Sequence, residues 1–150
     1  MIIAVDFDGT IVEHRYPAIG KDKFFAFETL KTLQKDGHQL ILWTYRDGQL
    51  LDDAVEYCRS KGVEFYAVNS SYPNEALDPG QSRKIHADLF VDDRIVFGFP
   101  GWGEIYQSIN PNASSTGYVD YRKQYELSKQ KSFKGLFNKF LIWIGAKENR

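Results

Sequence analysis

The chain has 150 residues, the length of one ordinary domain with a substantial hydrophobic core. Its 19 basic and 20 acidic residues give a net charge of −1, so the composition carries no strong signal for binding nucleic acid. Cys58 is the only cysteine, which excludes an internal disulfide, and no apolar run reaches the roughly 18 residues that a transmembrane helix requires.

Apolar runs typical of strands alternate with helical patterns along much of the chain, beginning with a predicted strand at residues 2–5. In chain order, the further predicted elements are a helix at residues 21–36, a strand at 38–44, a helix between Asp47 and Gly62, a strand at 63–69, a short helical turn at 82–86 and a strand at 87–91. Such alternation with short connections predicts an α/β fold, in which helices flank a parallel sheet. Cys58 lies on the apolar stripe of the second helix, which predicts a buried thiol.

The first predicted strand ends in two carboxylates, Asp6 and Asp8, which Gly9 and Thr10 follow. Because side chains alternate along a strand, Asp6 and Asp8 point the same way while Phe7 points into the packing. Two neighbouring carboxylates at the end of a buried strand repel each other and lose hydration, and a cation between them would stabilise the arrangement. The same residue types also suit a plain turn or a helix cap.

A second acidic pair follows the last predicted strand, where Asp92 and Asp93 come directly after residues 87–91. In open parallel sheets, ligands bind at the edge formed by the carboxyl ends of the strands. The polar residues that we expect at this edge are Asp6, Asp8, Thr44, Ser70, Asp92 and Asp93. Two strands that both end in carboxylates favour a functional site over a simple turn.

These motifs resemble those of the haloacid dehalogenase (HAD) superfamily of phosphohydrolases, and residues 1–110 are similar to its small bacterial hydrolases. Residues 6–10 read D-F-D-G-T, which is the first motif of the superfamily without departure. Thr44 closes an apolar strand as the second motif requires, and residues 92–93 supply the acidic pair of the fourth. The resemblance implies a Rossmann-like, HAD-like domain over residues 1–110.

The third motif of the superfamily is a basic residue ahead of the last strand. Lys84 is the first choice for it in this chain and Arg83 the alternative, since both precede that strand within reach of its acidic end. In this resemblance Lys84 offsets the negative charge of the nucleophile and the phosphate together.

The resemblance also implies a reaction, the hydrolysis of a phosphate ester through an aspartyl-phosphate formed on Asp6. Phosphoryl transfer requires an in-line nucleophile and positive charge around the phosphoryl oxygens. Asp8 would act as the general acid and then as the general base. The implied cofactor is Mg²⁺, held by the Asp6 carboxylate, the Asp8 main-chain carbonyl and Asp93, with Asp92 in support.

Further residues near the motifs are candidates for substrate binding. The resemblance implies that the Thr44 hydroxyl bonds a phosphoryl oxygen, and that Gly9 and Thr10 belong to the loop around the phosphate. Arg46 closely follows Thr44 and is either a phosphate contact or a surface ion pair. His14 and Arg15 lie where the superfamily carries a mobile flap, and Arg15 is a candidate substrate contact, although a solvated loop is the plainer interpretation.

The spacing of the motifs leaves no room for a cap domain, because one predicted helix and one strand take up residues 11–43, and a helix, a strand and a short loop lie between Thr44 and Lys84. We therefore expect an open site, which suits a large phosphorylated substrate or a small one covered by a second subunit. Two alternatives to a phosphatase stay open. One is a phosphate- or metal-binding HAD-like domain with little or no turnover, and the other is a phosphotransferase.

Residues 111–150 form a C-terminal extension that is predicted to be helical and amphipathic from about residue 131. Its apolar stripe consists of Phe133, Leu136, Phe137, Phe140, Leu141 and Ile144. We expect this stripe to pack within the protein, on its own domain or against a second subunit in a homo-oligomer. The other interpretation is a membrane-surface contact by residues 131–145. Residues 1–3 lack the features of a signal peptide, so the expected location is cytoplasmic.

Overall fold

Four short strands form one parallel sheet in the computed structural model, which describes residues 1–76, 80, 82–96 and 98–111. The strands are β1 (Ile2–Val5), β2 (Gln39–Leu42), β3 (Ala67–Val68) and β4 (Leu89–Val91), and their order in the sheet is β3-β2-β1-β4. The helices are α1 (Ala26–Lys35), α2 (Gly48–Ser60) and α3 (Trp102–Ile109). The predicted α/β fold, a Rossmann-like parallel sheet flanked by helices, is confirmed.

The register of the sheet brings three strand ends to one level. Val5 of β1 pairs with Leu42 of β2 on one side and with Val91 of β4 on the other. The chain builds β2 and β3 on one side of β1 and then crosses over to place β4 on the opposite side. The carboxyl ends of β1 and β4 therefore lie at the point where the strand order reverses, which is where sheets of this type bind ligands.

Side chains that alternate along the strands divide the core into two clusters, one for each face of the sheet. The larger cluster joins strand residues to all three helices through Ile3, Val5, Leu40, Leu42, Leu30, Leu33, Ala54, Cys58, Trp102 and Ile105. The smaller cluster contains Ala4, Ile41, Ala67 and Ile85. Cys58 is fully buried as predicted, and burial, with a smaller effect of the Asp22 charge, raises the pKa of its thiol to about 12.

The first helix begins later than predicted, at Ala26 and not at residue 21. Residues 21–23 instead bond to the segment that follows β1: the Glu13 N–H donates to the Lys21 carbonyl at 2.7 Å, and the Lys23 N–H donates to the Ile11 carbonyl at 2.8 Å. Phe25 then adopts a left-handed conformation with φ of 61°, which interrupts helical geometry. Tertiary hydrogen bonds thus override a local helical pattern.

The first strand has its predicted bounds, whereas the other three predicted strands are longer than the observed ones, because only the residues that face a partner strand form a ladder. The prediction of a helical turn at residues 82–86 is wrong, since the described part of this segment contains no helix. The N–H of His86 donates to the Ser71 hydroxyl at 3.1 Å, and the N–H of Lys84 donates to the Ser82 hydroxyl at 3.2 Å. These side-chain acceptors replace helical carbonyls.

The helix α3 was not predicted from the sequence. Trp102 at its start is buried, and its indole Nε1–H donates to the carbonyl of Thr10 at 2.9 Å. The helix therefore supports the loop that carries the first acidic motif.

Residues Met1–Ile109 form one compact unit. The amphipathic segment predicted from about residue 131 lies outside the described residues. Within the described chain, the helices are too short or too polar to cross a membrane.

Candidate active site

Three carboxylates meet at the carboxyl edge of the sheet. Asp6 follows β1, and Asp92 and Asp93 follow the neighbouring β4. Oxygen atoms of these three side chains all lie within 4.8 Å of one another, and all three residues are half-buried. The predicted meeting of the two acidic motifs is thus observed.

Asp6 lies in partly buried and acidic surroundings. Burial, with a smaller effect of the negative charges of Asp92 and Asp93, raises the pKa of its carboxyl group to about 6. Hydrogen bonds from the Phe7 N–H and from the Thr10 hydroxyl, which lies 3.2 Å from Asp6 Oδ2, oppose this shift. The fully buried Thr10 thus supports Asp6 from behind and does not line the cleft.

Asp93 packs directly against Gly9 of the first motif. A Cβ atom at Gly9 would lie 2.1 Å from Asp93 Oδ2, and the φ of Gly9 is +92°, a conformation that L side chains rarely adopt. The other oxygen, Asp93 Oδ1, is buried and has no hydrogen-bond partner among the described residues. A buried carboxylate oxygen without a partner is costly, which suggests a ligand at this position.

The donor set of this acidic cluster fits a hard divalent cation. Asp6, Asp92 and Asp93 offer carboxylate oxygens, the ligand type that Mg²⁺ and Ca²⁺ prefer. Among the ion pairs of the described residues, none within 4.0 Å involves these three carboxylates. The cluster therefore has negative charge that no neighbouring basic side chain offsets at close range.

Asp8 has a different environment, because it forms a bidentate ion pair with Arg46. Nε of Arg46 lies 2.7 Å from Asp8 Oδ2, and Nη2 lies 2.8 Å from Asp8 Oδ1. The predicted alternative of a surface ion pair is confirmed as an ion pair but wrong about exposure, because Arg46 is buried, and its guanidinium binds Asp8 instead of lining the cleft. The sequence carried no signal for this pair, whose members are 38 positions apart.

Thr44 lies in a short turn that Asn69 holds in place from β3. The N–H of Thr44 donates to Asn69 Oδ1 at 2.8 Å, and Asn69 Nδ2 donates to the carbonyl of Arg46 at 3.3 Å. The Thr44 hydroxyl accepts a hydrogen bond from the N–H of Arg46 at 3.3 Å. Ser70, also expected at this edge, donates its hydroxyl to the carbonyl of Tyr72.

A cleft of about 570 Å³ opens above this edge of the sheet. It is lined by Asp6, Asp8, His14, Tyr16, Trp43, Thr44, Tyr45, Asp92 and Arg94. The rim is aromatic, since Tyr45 is 91% exposed and its ring meets that of Tyr16 edge-on at 6.3 Å. Sequence reasoning missed these aromatic residues, because exposed tyrosines carry no pattern of their own.

The predicted basic residues of the third motif do not line the cleft. Lys84 and Arg83 are both exposed. Among the described residues that follow β4, Arg94 is the basic residue that lines the cleft. The N–H of Arg94 donates to Asp92 Oδ1 at 2.8 Å, which holds this residue next to the acidic cluster. The only sequence signal for Arg94 was its position directly after the acidic pair.

Fold and site together define a Rossmann-like α/β domain with an acidic cluster at the switch point of its sheet. A solved structure of a conserved protein from Bacteroides thetaiotaomicron is 60% identical in sequence and superposes with a TM-score of 0.71. The similarity covers 76% of this chain and 93% of that protein. The chain belongs to the same family as that protein. No protein-family model matches the chain, and no curated protein matches it.

Proposed function

We propose that this protein is a Mg²⁺-dependent phosphohydrolase of the HAD type, acting on a phosphate ester. One observation carries the proposal: Asp6 and Asp8 follow the same strand yet have opposite surroundings. Asp6 lies in an acidic cluster with a raised pKa, whereas Asp8 is ion-paired with Arg46. A cation bound to the acidic cluster would keep Asp6 ionised for attack on phosphorus, and the Arg46 pair holds Asp8 apart from that cluster for a different role.

In the proposed reaction, Asp6 is the nucleophile that attacks phosphorus. The P–O bond to the leaving group breaks as the bond to Asp6 forms, and Asp8 delivers a proton to the leaving oxygen. Asp8 then takes a proton from the water that cleaves the aspartyl-phosphate, which releases inorganic phosphate. Both carboxylates line the same cleft, which is compatible with action on one substrate.

Asp6, Asp93 and Asp92 are the residues that would hold Mg²⁺. The bound ion would neutralise negative charge of the carboxylates and of the phosphate. The unpartnered Oδ1 of Asp93 and the absence of a close basic side chain among the described residues both support a cation there. Thr44, which lines the same cleft, would donate its hydroxyl to a phosphoryl oxygen. Lys84 remains a candidate for the third motif only on the resemblance.

The test measures phosphate release by the purified protein from a panel of phosphate monoesters, with Mg²⁺ and with EDTA. We expect hydrolysis with Mg²⁺, none with EDTA, and poor restoration by Ca²⁺ because its looser coordination misplaces the nucleophile. Asp6→Asn should lower turnover by roughly 10³-fold or more, because the amide cannot attack phosphorus. Asp52→Asn, an exposed aspartate on α2, is the matched control and should keep full activity.

Turnover above a few per cent of wild type in Asp6→Asn would contradict the covalent mechanism. Binding of Mg²⁺ without hydrolysis of any ester would favour the metal-binding alternative. Transfer of the phosphoryl group to an added alcohol in preference to water would favour the phosphotransferase.

A further inference from the structure

Arg46 is a charged side chain in the interior of the domain, with an exposed fraction of only 1%. A buried charge is unfavourable unless its hydrogen-bonding groups find partners, so its contacts decide whether the residue has a role. Its Nε and Nη2 hold both oxygens of Asp8 at 2.7 and 2.8 Å. Of the four carboxylates at this edge of the sheet (Asp6, Asp8, Asp92 and Asp93), Arg46 therefore binds Asp8.

The position of the guanidinium is set independently of Asp8. Nη1 donates to the carbonyl of Pro17 at 3.0 Å, and Nη2 donates to the carbonyl of Ala18 at 2.9 Å. The guanidinium carbon also lies 5.0 Å from the centre of the Phe7 ring and 5.5 Å from that of Tyr16. Hydrogen bonds in its plane and rings beside it restrict the group in several directions.

The geometry points to Arg46 as a positioning residue, which holds the Asp8 carboxylate in the orientation required for proton transfer. This inference rests on the proposed function, because it concerns the acid–base step assigned to Asp8. A carboxylate has about four lone-pair sites, and a bidentate arginine occupies two of them. The Asp8 side chain keeps 11% of its surface exposed and lines the cleft, so the remaining sites are available to substrate.

The same contacts connect Arg46 to the segment that borders the cleft. Tyr16 lines the cleft, and the carbonyls of Pro17 and Ala18 belong to the same stretch of chain. Arg46 thus fixes the position of the Asp8 carboxylate relative to one wall of the cleft. Lysine could keep the charge at this position, but it has no planar fork to bind both Asp8 oxygens.

The test compares wild type with Arg46→Lys on two substrates that differ in their leaving group. An alkyl phosphate requires a proton on its leaving oxygen, whereas 4-nitrophenolate departs without one. The first step, formation of the aspartyl-phosphate, is followed as release of the leaving group in a single turnover. We expect it to slow about 100-fold for the alkyl phosphate. For 4-nitrophenyl phosphate the same step should slow only a few fold. The contacts of Arg46 with the wall of the cleft affect both substrates alike, so the difference between their two first-step rates reports the proton transfer.

Arg59→Lys is the matched control, since Arg59 is an exposed arginine on α2 paired with Glu56. It should leave both substrates unaffected. In an Asp8→Asn background, Arg46→Lys should have no further effect on the first step, because the residue acts through Asp8. Arg46→Ala should regain first-step rate when guanidinium is added at millimolar concentration.

Equal slowing of both substrates in Arg46→Lys would overturn the inference, and so would a first-step rate equal to that of wild type. Loss of folding in both Arg46→Lys and Arg46→Ala, measured by urea unfolding, would assign Arg46 to stability alone and would also overturn it. A wild-type protein that hydrolyses no ester would instead remove the proposed function itself. The two failures are therefore distinguishable.

Discussion

Gly9 shows how a single residue sets the geometry of the acidic cluster. Its bare Cα lets Asp93 approach to a distance that no side chain would allow, and its φ of +92° turns the chain after Asp8. Asp6 and Asp8 come directly before this turn, so the turn also sets the direction of the chain after the two carboxylates. The glycine of the D-x-D-G-T motif is therefore a packing requirement of the acidic cluster as well as a turn former.

Gly9→Ala tests this close approach. The added methyl group would force Asp93 Oδ2 away from a position 2.1 Å from the new Cβ, so the carboxylates would no longer converge. We expect the affinity for Mg²⁺ to fall roughly 10- to 100-fold, as it does when the support of a metal ligand is lost. Isothermal titration calorimetry measures this affinity directly.

Gly37→Ala is the control for Gly9→Ala, because Gly37 has a φ of +85° and open space around it. It should lower the free energy of unfolding by about 1–2 kcal/mol through backbone strain alone, with no change in Mg²⁺ affinity. Equal Mg²⁺ affinities for the two variants would show that the contact between Gly9 and Asp93 does not shape the site.

At the scale of elements, Asn69 connects the end of β3 to the turn that follows β2. Its side chain accepts a hydrogen bond from the N–H of Thr44 and donates one to the carbonyl of Arg46, so a single residue holds both ends of that turn. Asn69 itself has a φ of 49°, a conformation that asparagine tolerates better than most residues. The edge strand β3 has only two residues in the ladder. Thr44 is therefore positioned by the side chain of Asn69, which follows β3, more than by the backbone of the strand.

Asn69→Gly removes both hydrogen bonds while keeping the left-handed backbone favourable. We expect the free energy of unfolding to fall by about 1–3 kcal/mol and KM for a phosphate ester to rise, because Thr44 loses its support. Asn69→Ala should be less stable still, since it adds backbone strain. Urea unfolding and steady-state kinetics measure the two effects.

Asn74→Gly provides the comparison for Asn69→Gly, because Asn74 is exposed and has a similar φ of 60°. Little change in stability or KM is expected there. If Asn69→Gly is as stable as Asn74→Gly, the bridge between the two strand ends contributes nothing.

For the whole molecule, the acidic cluster makes stability depend on pH when no metal is bound. The pKa of Asp6 is about 6 in the folded protein, against 3.8 for an unperturbed aspartate. The folded state therefore binds more protons than the unfolded state between these two values. The free energy of unfolding gains a contribution that is fully present below about pH 4 and is lost as the pH rises through 6.

In EDTA we expect this loss to appear as a lower urea midpoint at pH 7 than at pH 5. Mg²⁺ added at pH 7 should raise the midpoint again, because the proposed metal site exists only in the folded state. Other groups also titrate in this range, so the measurement is the difference between wild type and Asp6→Asn. The variant should lose the part of the pH dependence that belongs to Asp6. Parallel curves for the two proteins would contradict the raised pKa.

The features that the sequence alone determined are local ones. Apolar runs marked the positions of the strands, since burial on both faces requires them, and Asp6, Asp8, Asp92 and Asp93 appeared directly after two of those runs. Parallel strands end at a common edge, so the meeting of the acidic motifs followed from the α/β pattern. The assignment of Cys58 to the core followed from helical periodicity in the same way.

Contacts between distant segments decided the rest. Residues 21–23 are not helical because they bond to residues 11–13, and α3 supports the loop after β1 because Trp102 donates to the Thr10 carbonyl. The ion pair of Arg46 with Asp8 exists because β1 and β2 pair in a register that brings Val5 beside Leu42. Such a contact depends on strand order and register, which no local pattern of residues records, so only the folded chain could reveal it.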